Sequence, residues 1–139
     1  MGQSIREVMT ADPHTVPVDA TLEDAAREMK SDDIGAVLVE DKGSVTGILT
    51  DRDIVVRAIG EGRDPSSTKV GDIATRDVKT LTPDSTVEDA IKIVREQHVR
   101  RIPVIQDGRA AGIVSIGDLA VERDAESALA DISAAPPNN

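Results

Sequence analysis

The chain has 139 residues, no cysteine, no aromatic residue and a formal charge of −10. That charge argues against a general affinity for nucleic acid or acidic membranes. The composition excludes disulfides, thiolate nucleophiles and cysteine metal sites, as well as the aromatic platforms on which single-stranded nucleic acids stack.

In chain order, Ile5, Val8 and Met9 make a short apolar-periodic stretch that could cover one end of the molecule. A short extended segment follows at Thr15–Pro17. Thr21 reads as a helix N-cap with Asp24 three residues on, a weaker form of the capping box. Leu22, Ala25, Ala26 and Met29 then form one helical stripe. Gly35–Val39 reads as a buried strand, Asp41–Ser44 as a hairpin turn and Val45–Leu49 as the returning strand. A second helix is expected from about Asp51 to Ile59, stopped by Gly60 and Gly62, and the Gly-, Asp-, Pro- and Ser-rich stretch after it reads as a linker.

The same order then repeats. Val8 to Ile54 recurs without a gap 65 residues later as Ile73 to Leu119, with 13 of 47 paired positions identical. Thr86 and Asp89 stand where Thr21 and Asp24 stood, and Val87, Ala90, Ile91 and Val94 supply the stripe. Thr80–Thr82 is the second extended segment. Ile102–Ile105 is expected to pair across Asp107-Gly108 with Ala111–Val114. Pro103 cannot donate a ladder hydrogen bond, so its strand should lie at an edge or be irregular. A last helix is expected from Gly117 to about Ile132. The expected fold is α/β, two β-α-β-β-α repeats packed face to face with pseudo-twofold symmetry. The boundaries read 1–62 for the first repeat with its N-terminal segment, 63–72 for the linker, 73–133 for the second repeat and 134–139 for a disordered tail.

The most specific motif is Gly-apolar-apolar-(Thr/Ser)-x-x-Asp. It occurs as Gly47-Ile48-Leu49-Thr50-Asp51-Arg52-Asp53 and again as Gly112-Ile113-Val114-Ser115-Ile116-Gly117-Asp118. His98-Val99-Arg100-Arg101-Ile102-Pro103-Val104 and the Met9-Thr10 start followed by Thr15-Val16 accompany it. Together these pieces resemble the cystathionine-beta-synthase (CBS) domain pair, and in particular the small bacterial proteins that consist of one pair alone.

That resemblance implies a non-enzymatic regulatory module that binds an adenosyl compound. Asp53 and Asp118 would accept from ribose hydroxyls, with Thr50 and Ser115 near the phosphates. The adenine would lie against aliphatic strand residues, its edge read by backbone near Thr15-Val16 and Thr80-Leu81. Family geometry would bring Arg100 and Arg101, with Ile102 and Pro103 behind them, to Thr50, Arg52 and Asp53. Ser115 and Asp118 would then face the uncharged Gly35 and Ala36. The resemblance thus implies AMP, ADP or ATP as regulatory ligand at the cationic place, S-adenosylmethionine fitting less well. It requires no cofactor and implies a homodimer, with an effector protein unknown, no membrane partner and a cytoplasmic location; no signal peptide or membrane span is legible.

The residues also allow a plainer reading. Asp53, Asp118, Thr50 and Ser115 are suitable helix caps, Arg100 and Arg101 suitable solvated surface, and two isolated histidines, His14 and His98, make no metal site. No base–nucleophile pairing is visible, so no enzyme is expected. A structural or protein-interaction module without a ligand is the competing function, while a nucleic-acid binder is disfavoured by charge. Dimer surface could come from the faces around Leu22–Met29 and Ile54–Ile59, unless the internal core uses them.

Overall fold

Residues 3–122 are described by the computed structural model. A 3-10 turn at Ile5–Glu7 precedes β1 (Thr10–Ala11), β2 (Thr15–Pro17), α1 (Leu22–Asp32), β3 (Ala36–Asp41) and β4 (Ser44–Thr50). The next segment is α2 (Asp51–Asp53), a π-helical turn over Ile54–Ala58 and a 3-10 turn over Ile59–Glu61. Then come α3 (Val70–Ile73), β5 (Thr75–Arg76), α4 (Val87–Gln97), β6 (Arg101–Gln106), β7 (Arg109–Ser115) and α5 (Ile116–Glu122). The expected extension of the last helix to Ile132 and the tail 134–139 lie outside the described residues.

Local chemistry explains most of these elements. Thr21 Oγ1 accepts from the Asp24 N–H at 3.1 Å. At Thr86 the box is complete, the Asp89 carboxylate accepting in return from the Thr86 N–H at 3.0 Å. Such caps contribute about 1 kcal/mol each. Both helices end on a residue in the left-handed region, Asp33 (φ 53°) and His98 (φ 54°). There the cap N–H donates back to the carbonyl of Met29 or Val94. Both hairpins turn on two residues of positive φ, Lys42-Gly43 and Asp107-Gly108. This is the turn whose twist matches that of the flanking strands.

The chain divides into two compact units. One holds residues 13–78 with 108–110; its sheet runs β2-β3-β4-β5, with β2 parallel to β3 and the other pairs antiparallel. Its core joins Val16, Leu22, Ala25, Met29, Val37, Val39, Leu49, Ile54 and Ala58 to Val70, Ile73 and Ala74. The linker therefore supplies core residues. Its carbonyls also serve α1, Leu22 N–H donating to Thr68 O and Glu23 N–H to Pro65 O.

The other unit holds, among the described residues, 3–12, 79–107 and 111–122. Its sheet runs β1-β7-β6, and its core joins Ile5 and Val8 to Leu81, Val87, Ala90, Ile102, Val104, Val114 and Leu119. Ile5 and Val8 hold the places here that Val70 and Ile73 hold in the first unit. Each unit is thus completed by a helical turn and a two-residue strand that precede the opposite repeat. Burying each such Ile or Val contributes about 1.5–3 kcal/mol.

Pro103 has a visible consequence. In the first unit Leu38, at the matching position, donates its N–H to His14 O at 2.9 Å, and β2 runs three residues alongside β3. Pro103 has no such donor. Only its carbonyl is used, by Leu81 N–H at 3.0 Å, and the pairing shrinks to the single bridge Leu81–Val104.

The helix expected from Asp51 to Ile59 is not uniform: only three residues are α-helical before the π turn. Ile54 and Ala58, four apart and so on one helical face, both lie in the core.

Candidate functional site

The two motif segments fold into the same corner, a strand running directly into a helical start. The glycine at the head of each motif is required by an edge strand. A Cβ on Gly47 would collide with the Thr75 carbonyl oxygen of β5, and one on Gly112 would lie 2.7 Å from the Thr10 oxygen of β1. The registers match: Gly47 opposite Arg76 and Ile48 opposite Thr75, Gly112 opposite Ala11 and Ile113 opposite Thr10. Glycine is there to let a backbone approach.

At the other end of the motif the Thr/Ser and Asp close a reciprocal box. Thr50 Oγ1 accepts from the Asp53 N–H at 3.1 Å, and Asp53 Oδ2 accepts from the Thr50 N–H at 3.0 Å. Ser115 and Asp118 do the same at 3.2 and 2.9 Å. The capping role is therefore real in both units. All four residues are half-buried. In each carboxylate only Oδ2 is engaged, and among the described residues Oδ1 takes no hydrogen bond. An aspartate held by one oxygen, with the lone pairs of the other unused, is a preorganised acceptor.

The strand before each corner completes it. Asp51 N–H donates to Gly35 O at 3.0 Å, and Ile116 N–H to Arg100 O at 3.0 Å. Each unit thus brings its own strand entry to its own motif: Gly35 and Ala36 beside Thr50 and Asp53, Arg100 and Arg101 beside Ser115 and Asp118. Arg52 is exposed and its N–H donates to Asp51 Oδ1 at 2.8 Å; Arg101 is half-buried, and neither makes an ion pair among the described residues.

Thr15 and Thr80 hold matching places beside these strands. Leu38 N–H donates to His14 O and Val18 N–H to Glu40 O, so alternation turns the Thr15 backbone away from β3. Leu81 spends its N–H and C=O on Pro103 and Ile105, which likewise turns the Thr80 backbone outward. Val16, Ile102 and Pro103 are buried, Val16 and Ile102 within the two cores, so only their backbones can serve a ligand. His14 lies near Glu28 and Asp32, with its ring nitrogens 3.3 and 3.5 Å from their oxygens, and His98 is the left-handed cap of α4. Among the described residues no group of three His, Cys, Asp or Glu side chains could hold a metal ion.

A duplicated glycine-led corner, closed in both copies by the same box, is the frame on which comparison with known proteins bears. The CBS domain model matches residues 5–60 and 70–123. The chain belongs to the CBS-domain family. As a CBS pair it is 36% identical over 134 residues to the CBS domain-containing protein YhcV of Bacillus subtilis, covering 94% of this chain and 95% of that one. The crystal structure of Hypoxic Response Protein I with two coordinated zinc ions superposes with a TM-score of 0.78 at 33% identity, over 87% of this chain and 99% of that one. The hexameric CBS-CP12 protein from bloom-forming cyanobacteria superposes with a TM-score of 0.80 at 30% identity, over 89% of this chain and 70% of that one. Stand-alone CBS pairs are in general regulatory modules rather than enzymes, and CBS-pair neighbours such as the hexameric CBS-CP12 protein form oligomers. No helix among the described residues is long and apolar enough to cross a membrane.

Three features of this CBS pair are not visible in the motif spelling. The head glycine answers a β-strand from outside its own repeat. The Asp is half committed to the backbone. The first residue of each helical start hangs on the carbonyl of the strand entry, 16 residues earlier in both copies. Only the recurrence of Thr10 and Thr75 at the 65-residue spacing hinted at the first of these.

Proposed function

We propose that this CBS pair is a sensor of an adenine nucleotide, AMP, ADP or ATP, acting in the cytoplasm as a homodimer. The observation that supports the reading is the Asp53 carboxylate, held through one oxygen by the Thr50 box and with its second oxygen uncommitted among the described residues. Such a carboxylate can accept from a ribose hydroxyl without giving up its cap. The outward backbone of Thr15 or Thr80 supplies one donor and one acceptor for an adenine edge. Phosphates are assigned to Thr50, Arg52, Arg100 and Arg101, as the family resemblance implies. Ser115 and Asp118 would hold a second ribose in the same way. Nucleotide binding would stabilise the pair by linkage and change what it presents to an effector.

Calorimetry and thermal shift with AMP, ADP, ATP, S-adenosylmethionine and NAD test this. A rise in melting temperature with at least one adenine nucleotide is expected, and no response to any at millimolar concentration refutes the reading. Arg101→Ala should weaken ATP more than adenosine. If instead both ligands are unaffected, the phosphates lie elsewhere.

The competing reading, an interaction module without a ligand, has one observation in its favour. Val55, Val56 and Ile59 are 60%, 48% and 52% exposed, whereas Leu22, Ala25 and Met29 are used by the core. Of the two faces considered for self-association, the second is the one available. On that reading Asp53→Asn leaves self-association and partner capture unchanged with or without nucleotide.

A further inference from the structure

The segment after the first motif stands between two helical registers. The Ile59 N–H is shared, directed at both Ile54 O and Val55 O. The first is the bond of a π-helix, five residues back, and the second that of an α-helix, four back. Ala58, where the registers meet, has φ −114° and ψ −67°, away from ordinary helical values. Gly60 fits the wide form, since a Cβ there would lie 3.3 Å from Val55 O. In the second repeat the described counterparts of residues 54–57, residues 119–122, are α-helical.

Position makes this divided amide consequential. The π turn begins at Ile54, the residue after Asp53, so a ligand that draws on the Asp53 carboxylate acts one residue from where the registers part. This turn and the 3-10 turn after it carry Val55, Val56 and Ile59, the exposed large apolar side chains among the described residues. A change of register turns these against the fixed pair Ile54 and Ala58, which the core retains.

We propose that residues 54–61 form a register switch: occupation of the Thr50–Asp53 corner selects one partner for the Ile59 amide and thereby resets the apolar surface of Val55, Val56 and Ile59. This rests on the nucleotide reading for its trigger, but the divided amide itself does not. A two-state element next to a binding residue is what couples occupancy to surface.

Residue-resolved amide hydrogen exchange on the full chain, with and without saturating ATP, tests the switch, and calorimetry on the same sample reports binding. The Ile59 amide should change its exchange rate by about tenfold while the amides inside α1 change much less. Heat of binding with unchanged exchange at Ile59 overturns the switch and leaves the nucleotide reading standing. Absence of heat refutes the nucleotide trigger instead. A second arm needs no ligand: Gly60→Ala presses its methyl on Val55 O, and it should shift Ile59 exchange severalfold in the free protein. An unaltered rate in that folded variant shows that the amide is not poised, and the proposal falls.

Discussion

Asp53 and Asp118 carry two tasks on two oxygens, and residue-scale experiments can separate them. Asn at position 53 keeps a side-chain acceptor for the Thr50 N–H but removes the charge that would draw both ribose hydroxyls. Asp53→Asn should change stability by no more than about 0.5 kcal/mol in urea unfolding, while adenine nucleotide affinity falls about tenfold or more. Thr50→Val removes the Oγ1 acceptor and should cost about 1 kcal/mol of stability. A stability loss at Asp53→Asn as large as that at Thr50→Val, with affinity intact, would reduce Asp53 to a cap. The motif letters were legible before folding because the box spans three residues. That the box leaves one carboxylate oxygen uncommitted was not, since the letters do not give side-chain geometry.

At the scale of elements, Pro103 is a case where one missing hydrogen sets the length of a strand. Pro103→Val restores the donor that Leu38 uses in the other repeat. The new amide should be protected from exchange, and the single bridge at Leu81 should lengthen towards the three residues of β2. If the residue 103 amide exchanges as fast as an exposed loop, the proline is not what shortens the pairing. The sequence placed Pro103 correctly at the sheet's margin, because a residue without an N–H has few other places.

The linker is a second element with its own chemistry. Asp64 accepts from the Ser66 N–H at 2.9 Å and from its hydroxyl at 2.8 Å, and these bonds, the backbone one foremost, hold its carboxyl below the ordinary value. A depressed folded-state value means that the ionised form is favoured by folding. Its stabilising contribution is present above the ordinary unfolded value of about 3.9 and is lost as pH falls through the folded one. Asp64→Ala should therefore be less stable than wild type at pH 6, with the difference narrowing below about pH 4 in parallel urea titrations. A difference that does not narrow would assign it to the Asp64 backbone, whose carbonyl accepts from Thr68.

For the molecule as a whole, the compact units do not follow the order of the chain. Ile5 and Val8 sit in the core with Leu81, Val104 and Val114 rather than in that of the adjacent repeat. Removing residues 1–9 should then strip the unit built on the second repeat, at a cost of about 3–6 kcal/mol for the two buried side chains. Exchange protection should collapse in α4 and β6 before it does in α1 and β3. Uniform loss, or loss confined to β2–β4, would contradict that assignment.

The sequence by itself determined the family, the duplicated order of elements, the helix caps, the two hairpin turns and the aliphatic cores. All of these rest on periodicity or on partners within a few residues, and so are written locally. The tertiary structure decided which leading segment completes which unit and why Gly47 and Gly112 tolerate no side chain. It also showed that the first post-motif helix winds wide at Ile54–Ala58. The first two arise where backbones from distant stretches of chain approach closely. Close packing of that kind is a property of the assembled core, and no local pattern announces it.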